Sequence, residues 1–459
     1  MICTDMSNSE EYKYCFPYYL FEKGQKIVIY GAGACGRAFY RELKTNGFID
    51  VVAIIDGQIK SNDCDNMIIG TVEALDEIKF DKIIIAVINK QVAAEIKKML
   101  IDRGIQDENI VWDGPYYNMQ IELYHNASRR ARILKRVLGV KKKKIFLMSL
   151  FEGVNLGDFA ISEGEYKWIE KKFDDYELIK ISNSDWLSVK DIMGEILSKD
   201  DYIFFSGGGN YGNMWRENDY IFEISYTFPD NVKVILPNTL SYKIDEEIEK
   251  NIYYDMDKFF RCPNLYIVFR DEKSYNIYKK RDEYNRVFYY PDMGLLLDYS
   301  SSQEINTGKV LLCLREDSEK KYDIREDVEK LLDQLALPYE YTNTCVEEYL
   351  YIEDGEKHLA DYLNFYKQNN LVITDRLHGM IFAAITGIPC IAVDNINGKV
   401  GNVYKWIEQI DNIKYIYDGK ILADDIITYY NKEKVAYDNS YIWNKMIELA
   451  DRIRELENI

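Results

Sequence analysis

Histidine is nearly missing from this sequence, with three residues in 459. Proline is sparse, with eight. The eight cysteines (Cys3, Cys15, Cys35, Cys64, Cys262, Cys313, Cys345 and Cys390) form no C-x-x-C pair. Scattered thiols of this kind, three of them (Cys35, Cys313, Cys390) in or beside apolar segments, speak against a disulfide framework or a zinc site and fit a reducing compartment. No apolar run approaches the roughly 18 residues that a spanning helix needs. The opening MICTDMSNSEEYKYC lacks the basic patch and apolar stretch of a secretory signal, so a cytoplasmic protein is expected. Positive charge is in deficit: 58 Lys and Arg face 77 Asp and Glu, a net charge of −19. That argues against general nucleic-acid binding, which needs a basic surface to neutralise phosphates. It leaves room for a small anion wherever arginines gather. No acidic cluster with metal-ligand spacing stands out, and no metal is expected.

What is present is globular: 47% apolar and 29% charged residues, over a length that implies two or three domains. Tyrosine is frequent, 39 residues. Tyrosine faces suit carbohydrate, although a compositional bias of the organism would look the same.

KIVIYGAGACGRAFYRELKTNGFIDVVAIID (26–56) reads as strand, glycine-rich turn, helix and strand. DKIIIAVINKQVAAEIKKMLIDRGI (81–105) repeats the alternation, and ENIVW adds a short strand. This alternation means a parallel sheet covered on both faces, assigned to a first domain over 1–125. SRRARILKRVLGVKKKK (128–144) carries nine basic residues, with no acid between Glu122 and Glu152. Its Ile133, Leu134, Val137 and Leu138 fit one helical face. A solvated linker helix over 126–143 is expected. The alternative is a peripheral contact of 128–144 with anionic lipid at the inner face of the membrane.

A second alternating region has strands at KIFLMSL (144–150), YIFFSGGG (202–209), VKVILPNT (232–239), LYIVFRD (265–271) and VFYYPDMG (287–294). The polar SSSQEINTG (300–308) reads as a hinge, and KVLLCLRED (309–317), LVITD (371–375), CIAVD (390–394) and IKYIYD (413–418) follow as strands. The expected fold class is α/β: two facing Rossmann-like lobes over 144–300 and 301–459, the latter with the C-terminal helices, plus the additional N-terminal Rossmann-like domain. Ligands of such sheets bind beyond the carboxyl ends of the strands, here in a shared cleft.

Gly31, Gly33 and Gly36 match G-x-G-x-x-G after a strand, with Asp56 twenty residues beyond Gly36. Such a turn can take a pyrophosphate at the helix N-terminus and a ribose hydroxyl on the acid. It also serves simply as a tight turn. FEGVNLGDFAI (151–161) places Asn155 and Asp158 before an apolar helix, where Asp158 could be only a helix cap. FSGGGNYGNMW (205–215) offers Gly208 and Asn210 at a second strand end, with glycines that let a backbone pass close to a ligand. Arg270, Arg315 and Arg376 each follow an apolar strand, and each has an aspartate within two residues. Singly they read as ion pairs. As a set converging on the cleft they suit a small anion of several charges, because guanidinium groups bind phosphate and carboxylate through paired hydrogen bonds. His378 follows Arg376 in TDRLHG at the start of a helix, where it can exchange a proton near neutral pH.

In this order NLGDFAI, SGGGN, VFRDEKS and ITDRLHGMIFAAITGIPCIAVDNINGKV resemble the polysaccharide pyruvyl transferases, over roughly residues 144 to 420. The resemblance implies a fold like that of two-lobed GT-B glycosyltransferases. It implies transfer of a pyruvyl group from phosphoenolpyruvate to two hydroxyls of a sugar as a cyclic ketal. Carried over by motif, Arg376 and Arg270 hold phosphoenolpyruvate, Lys399 in NGKV and Arg315 join them, and His378 is the catalytic acid or phosphate partner. Asp158 is the candidate second acid or base. Asn155, Gly208 and Asn210 lie on the acceptor side, for a sugar or a lipid-linked oligosaccharide. The N-terminal domain looks like small Rossmann-type domains attached to surface-polysaccharide enzymes. It could hold a nucleotide or nucleotide sugar, or mediate assembly into an oligomer. The rival reading is a GT-B-type glycosyltransferase using a nucleotide sugar.

Overall fold

The computed structural model describes residues 14–57, 69–214, 217–243, 247–300, 306–317 and 319–456, without the side chains of 118–125 and 217. Part of the 300–308 segment, read as a hinge, lies outside the described residues. The chain forms two compact units that divide between Arg132 and Ile133. The helix Gly114–Val137 spans that division.

The first unit holds β1 (Lys26–Tyr30), β2 (Asp50–Ile55), β3 (Ile69–Gly70), β4 (Lys82–Ile85) and β5 (Ile110–Val111) in one sheet of order β3-β2-β1-β4-β5. All pairs are parallel. The central strands are apolar on both faces because helices cover both.

The second unit contains both lobes. Its first sheet is built from β6 (Lys143–Leu150), β8 (Tyr176–Ser182), β9 (Tyr202–Phe205), β10 (Gly208–Tyr211), β11 (Lys233–Leu240), β12 (Leu265–Phe269) and β13 (Val287–Tyr289). The order is β13-β12-β11-β9-β6-β8, with β10 beside β11. The other sheet takes β14 (Val310–Cys313), β15 (Tyr339–Tyr341), β17 (Leu371–Thr374), β18 (Cys390–Val393) and β19 (Ile413–Ile416), in the order β15-β14-β17-β18-β19. Within both sheets every pair is parallel. The two-lobed α/β architecture is the one expected.

Three features tie the lobes together, and the sequence shows none of them. β7 (Gly153–Asn155) of the first lobe pairs antiparallel with β16 (Cys345–Leu350) of the second. One apolar core runs through both, joining Leu147 and Trp168 to Val372, Ile381 and Met446. The C-terminal helix Ser440–Glu455, expected with the second lobe, lies against the first. Trp168 donates its indole N–H to the Met446 carbonyl at 2.8 Å, and Arg454 pairs with Asp175. The helix Leu377–Thr386 explains its own composition in this setting: nine of its ten residues are buried, since it has lobe packing on all sides.

Strand β8 was not anticipated. YELIKIS carries Glu177 and Lys180 on opposite faces of an edge strand, and these charges break the apolar run. β16 is mostly exposed and has no apolar alternation to read. In the basic segment Ile133 and Val137 are buried in the first lobe's core, while Leu138 is 66% exposed. No helix among the described residues is long and apolar enough to cross a membrane.

Candidate functional site

The site forms where strand ends of the two lobes meet. On the second lobe, β17 ends in a turn built by Thr374. Its hydroxyl donates to the Cys313 carbonyl at 2.7 Å and accepts the Arg376 N–H at 3.0 Å. Gly379 is required there, because a side-chain carbon would stand 2.3 Å from Thr374 Oγ1. Arg376 caps the helix Leu377–Thr386 through its backbone, and His378 occupies the first helical turn.

The imidazole packs on the first lobe. A methyl group at Gly157 would meet His378 Nδ1 at 2.2 Å, and Nε2 is buried with no hydrogen-bond partner. Beside it, the helix Leu156–Lys172 begins with Asn155 as its cap: Oδ1 accepts the Gly157 N–H at 3.1 Å, and Nδ2 donates to Asp158 Oδ2 at 2.7 Å. The cap is therefore Asn155, and Asp158, free of that task, is oriented by it.

The three glycines after β9 each have a distinct reason. Gly207 runs against the Pro237 carbonyl, which a side-chain carbon would approach to 2.4 Å. A carbon on Gly208, whose φ is +131°, would lie 3.7 Å from both Asp158 Oδ1 and Asn210 Oδ1. One on Gly209 would lie 3.0 Å from Arg270 Nη2 and 3.5 Å from Lys399 Nζ. The absence of side chains leaves a floor on which a carboxylate, an amide and two cations face open backbone.

Arg270 is fixed before any ligand arrives. It is 2% exposed, with Nη1 on Asp292 at 2.5 Å, Nε on Thr239 at 2.9 Å, and its carbonyl accepting the Trp406 indole N–H at 2.8 Å. Lys399 reaches Glu319 at 3.4 Å, and burial lowers its pKa. Burial pushes the Asp158 carboxyl up to about 6, against the pull of Arg270, Asn155 and Lys399. Burial, helped by Arg270 and Lys399 and opposed by Asp292, pushes His378 down to about 4. The usual order is inverted: the carboxyl keeps its proton to higher pH than the imidazole.

The three arginines do not share one setting. Arg315 is taken up by carboxylates, with Nε on Asp317 at 2.8 Å and Nη2 on Glu319 at 2.6 Å. That is the ion-pair reading, which the sequence left open. Arg376 lines a hollow of about 690 Å³ with Asp317, Thr342 and Cys345, and its Nε is buried without a partner. A smaller hollow of about 210 Å³ adjoins Asp158 and is lined by Ser149, Ser182, Ser206, Asn210 and Tyr349. Ser149 is held there at φ 56°, a left-handed conformation uncommon for serine.

Two residues of the site went unread in the sequence. Asp292, wholly buried, receives Arg270 and the Gly294 N–H. Glu165, also wholly buried, accepts Ser206 Oγ at 2.9 Å and the Gly207 N–H at 2.6 Å. Burial drives the Glu165 carboxyl up to about 8. Asp292 had a signal, an acid at a strand end in YYPDMG. Glu165 had none, since Glu163 two residues earlier looks the same in the sequence.

In the N-terminal unit, Gly31 sits at φ +113° against the Ala86 carbonyl, and a carbon on Gly36 would fall 1.8 Å from the Gly31 oxygen. Asp56 accepts the Ala32 N–H at 2.7 Å. The turn itself thus accounts for Gly31, Gly36 and Asp56, and only Gly33 faces open space. Among the described residues no group of three or more His, Cys, Asp or Glu is placed to hold a metal ion.

The site thus gathers two cations, a carboxyl and an imidazole where the two lobes meet. The chain belongs to the polysaccharide pyruvyl transferase family, whose pattern matches residues 155–397, more than half of its length. The chain is therefore a transferase by family. A separate pattern, the C2185-like N-terminal domain, matches residues 23–111. General stress protein 30 of Bacillus subtilis is 34% identical over 281 residues, 60% of this chain and 81% of that protein. Pyruvyl transferase 1 of Schizosaccharomyces pombe is 25% identical over 318 residues, 63% of this chain and 77% of that protein. Among solved structures, an uncharacterized protein of Klebsiella pneumoniae aligns at a TM-score of 0.42 and 20% identity, covering 65% of this chain and 98% of that one.

Proposed function

We propose that this enzyme moves the pyruvyl group of phosphoenolpyruvate onto two hydroxyls of a sugar, forming a cyclic ketal and releasing phosphate, in the synthesis of an exopolysaccharide, capsule or cell-wall glycan. The observation that carries the reading is the convergence of Arg270 Nη2 and Lys399 Nζ on Gly209, beside Asp158 and His378. Two cations suit a donor bearing both phosphate and carboxylate, whereas Arg376, assigned to the donor by motif, lines the separate hollow beside Asp317 and Thr342. Arg315, already held by Asp317 and Glu319, is left out of this set.

The reaction divides into protonation and two attacks. The enol methylene (C3) of phosphoenolpyruvate takes a proton and becomes a methyl group. A sugar hydroxyl oxygen then bonds to C2 as its own proton leaves. The second hydroxyl oxygen bonds to C2 as the C2–O bond to phosphate breaks. Its proton leaves and phosphate departs with the bonding electrons. In this reading Asp158, protonated up to about pH 6, supplies the first proton. In the same reading His378, kept neutral by burial, accepts one from a hydroxyl. This exchanges the roles that the sequence suggested for the two. Positioned proton transfer is worth about 100- to 10,000-fold, and Arg270 and Lys399 stabilise the charge gathering on the phosphate.

The hollow of about 210 Å³ beside Asp158 is the acceptor position in this reading. Its serine and asparagine lining matches sugar hydroxyls. It is smaller than the roughly 300–1,000 Å³ that encloses a drug-sized ligand, which favours a single sugar unit.

Calorimetry with the full chain tests the donor site. Phosphoenolpyruvate should bind the wild type, lose at least about tenfold in affinity with Lys399→Ala, and change little with His378→Ala or Arg376→Ala. A wild type that ignores phosphoenolpyruvate and binds a nucleotide sugar would make the enzyme a glycosyltransferase instead.

A further inference from the structure

One hollow of the second unit lies apart from the residues of that reaction. It is a groove of about 1380 Å³ between the sheet-edge strand β13 and the C-terminal helix. It contains none of the residues grouped around His378.

Its walls are aromatic. Tyr275 and Tyr289 have ring centroids 5.6 Å apart, Tyr289 and Trp406 are 4.7 Å apart, and Trp406 and Tyr441 follow at 6.5 Å. Tyr284, before the start of β13, is 72% exposed, and Tyr441, near the strand's other end, is 48% exposed. In a chain of net charge −19 the lining carries five basic residues against two glutamates. Among the basic residues, the Arg452 guanidinium stands 5.7 Å over the Phe288 ring.

One residue of the groove wall touches a residue of the reaction site. Trp406, part of the groove wall, donates its indole N–H to the carbonyl of Arg270 at 2.8 Å. That is the residue whose guanidinium faces Gly209 in the site.

Aromatic faces pack against the C–H faces of sugar rings, and guanidinium groups hold carboxylates. We propose that this groove binds an anionic oligosaccharide, the non-reacting length of the glycan that carries the acceptor sugar. The proposal rests on the reading of the reaction as one performed on a glycan. Tyr284 and Tyr441 grip it at the two ends, and Arg452 selects for carboxylate.

The test is calorimetry of the full chain with hexagalacturonate and with a neutral galactose oligomer of the same length, phosphoenolpyruvate serving as control. The wild type should bind the charged probe and bind the neutral one more weakly. Tyr441→Ala and Tyr284→Ala, both at exposed positions, should each weaken the charged probe roughly three- to tenfold. Arg452→Ala should narrow the gap between the probes. Phosphoenolpyruvate binding should stay unchanged throughout. Absence of hexagalacturonate binding, equal affinity for both probes, or affinities indifferent to the tyrosine substitutions would each overturn the groove assignment. Hexagalacturonate binding without phosphoenolpyruvate binding would instead overturn the pyruvyl reading and leave the groove standing.

Discussion

The imidazole of His378 closes against Gly157, so tightly that a single methyl group there would stand 2.2 Å from Nδ1. These two residues come from different lobes, and their contact is what brings a second-lobe histidine to a first-lobe carboxylate. Gly157→Ala should displace the ring while leaving Arg270 and Lys399 in place. The expected result is a turnover loss of about 100-fold, the cost of misplacing a reacting group by an ångström. Phosphoenolpyruvate affinity should hold within about threefold. Steady-state kinetics beside calorimetry separates the two, and an equal loss in both would argue against a positional role.

Asp158 gives the pH profile its sign. Its folded pKa of about 6 lies above the ordinary 3.8 because of burial, so the protonated form required of an acid is lost as pH rises through about 6. The free-enzyme profile, kcat/KM against pH, should fall on the alkaline side from there. Asp158→Asn keeps the amide-sized side chain beside Asn155 and removes the proton, so kcat should drop about 100- to 10,000-fold with the alkaline limb abolished. An unchanged limb in that variant would assign the titration to another group.

The Arg270–Asp292 pair is almost wholly removed from water, at 2% and 0% exposure. Removing one partner strands the other charge. Arg270→Ala or Asp292→Ala should each destabilise the fold by about 3–5 kcal/mol, and the double variant should lose much less than the sum. Urea unfolding checks this, and additive losses would show that the pair is not coupled.

Glu165 makes stability depend on pH. Its carboxyl ionises at about 8 in the fold against an ordinary 4.5. The folded chain therefore holds the extra proton between those values, and stability falls as pH rises across that window. Glu165→Gln, which cannot ionise and still offers Gly207 an acceptor, should melt at a higher temperature than the wild type at pH 9 and close to it at pH 5. Glu165→Ala leaves Ser206 and Gly207 without their acceptor and should cost about 1–3 kcal/mol at either pH. A wild-type melting curve that is flat with pH would rule this out.

Much of this protein could be read directly from residue order. The alternation of β-branched strands with helices, as in KIVIYGAGACGRAF and LVITDRLHGMIF, defines parallel sheets because only buried central strands are apolar on both faces. Arg270 and His378 stood out as candidates for a related reason: a polar residue at or just beyond the end of an apolar strand sits at the edge where such sheets bind ligands, while Lys399 was named only by the resemblance of NGKV. Edge elements escaped notice. β8 carries charges on both faces and β16 is mostly exposed, so their composition carries no periodic signal.

The sequence by itself determined the sheets, the glycine floor at 207–209 and the set of polar groups available to the site, since local propensity and apolar period dictate these within a few residues of chain. Only the tertiary structure decided which of those groups meet. Arg270, Lys399, Asp158 and His378 were gathered, while Arg315 was spent on Asp317 and Glu319 and Arg376 was turned to its own hollow. Pairings of that kind depend on how two lobes close over a shared core, and burial then sets the proton affinities. Asp158 was raised to about 6 and His378 lowered to about 4, an order that depends on desolvation and on charges brought in from distant parts of the chain.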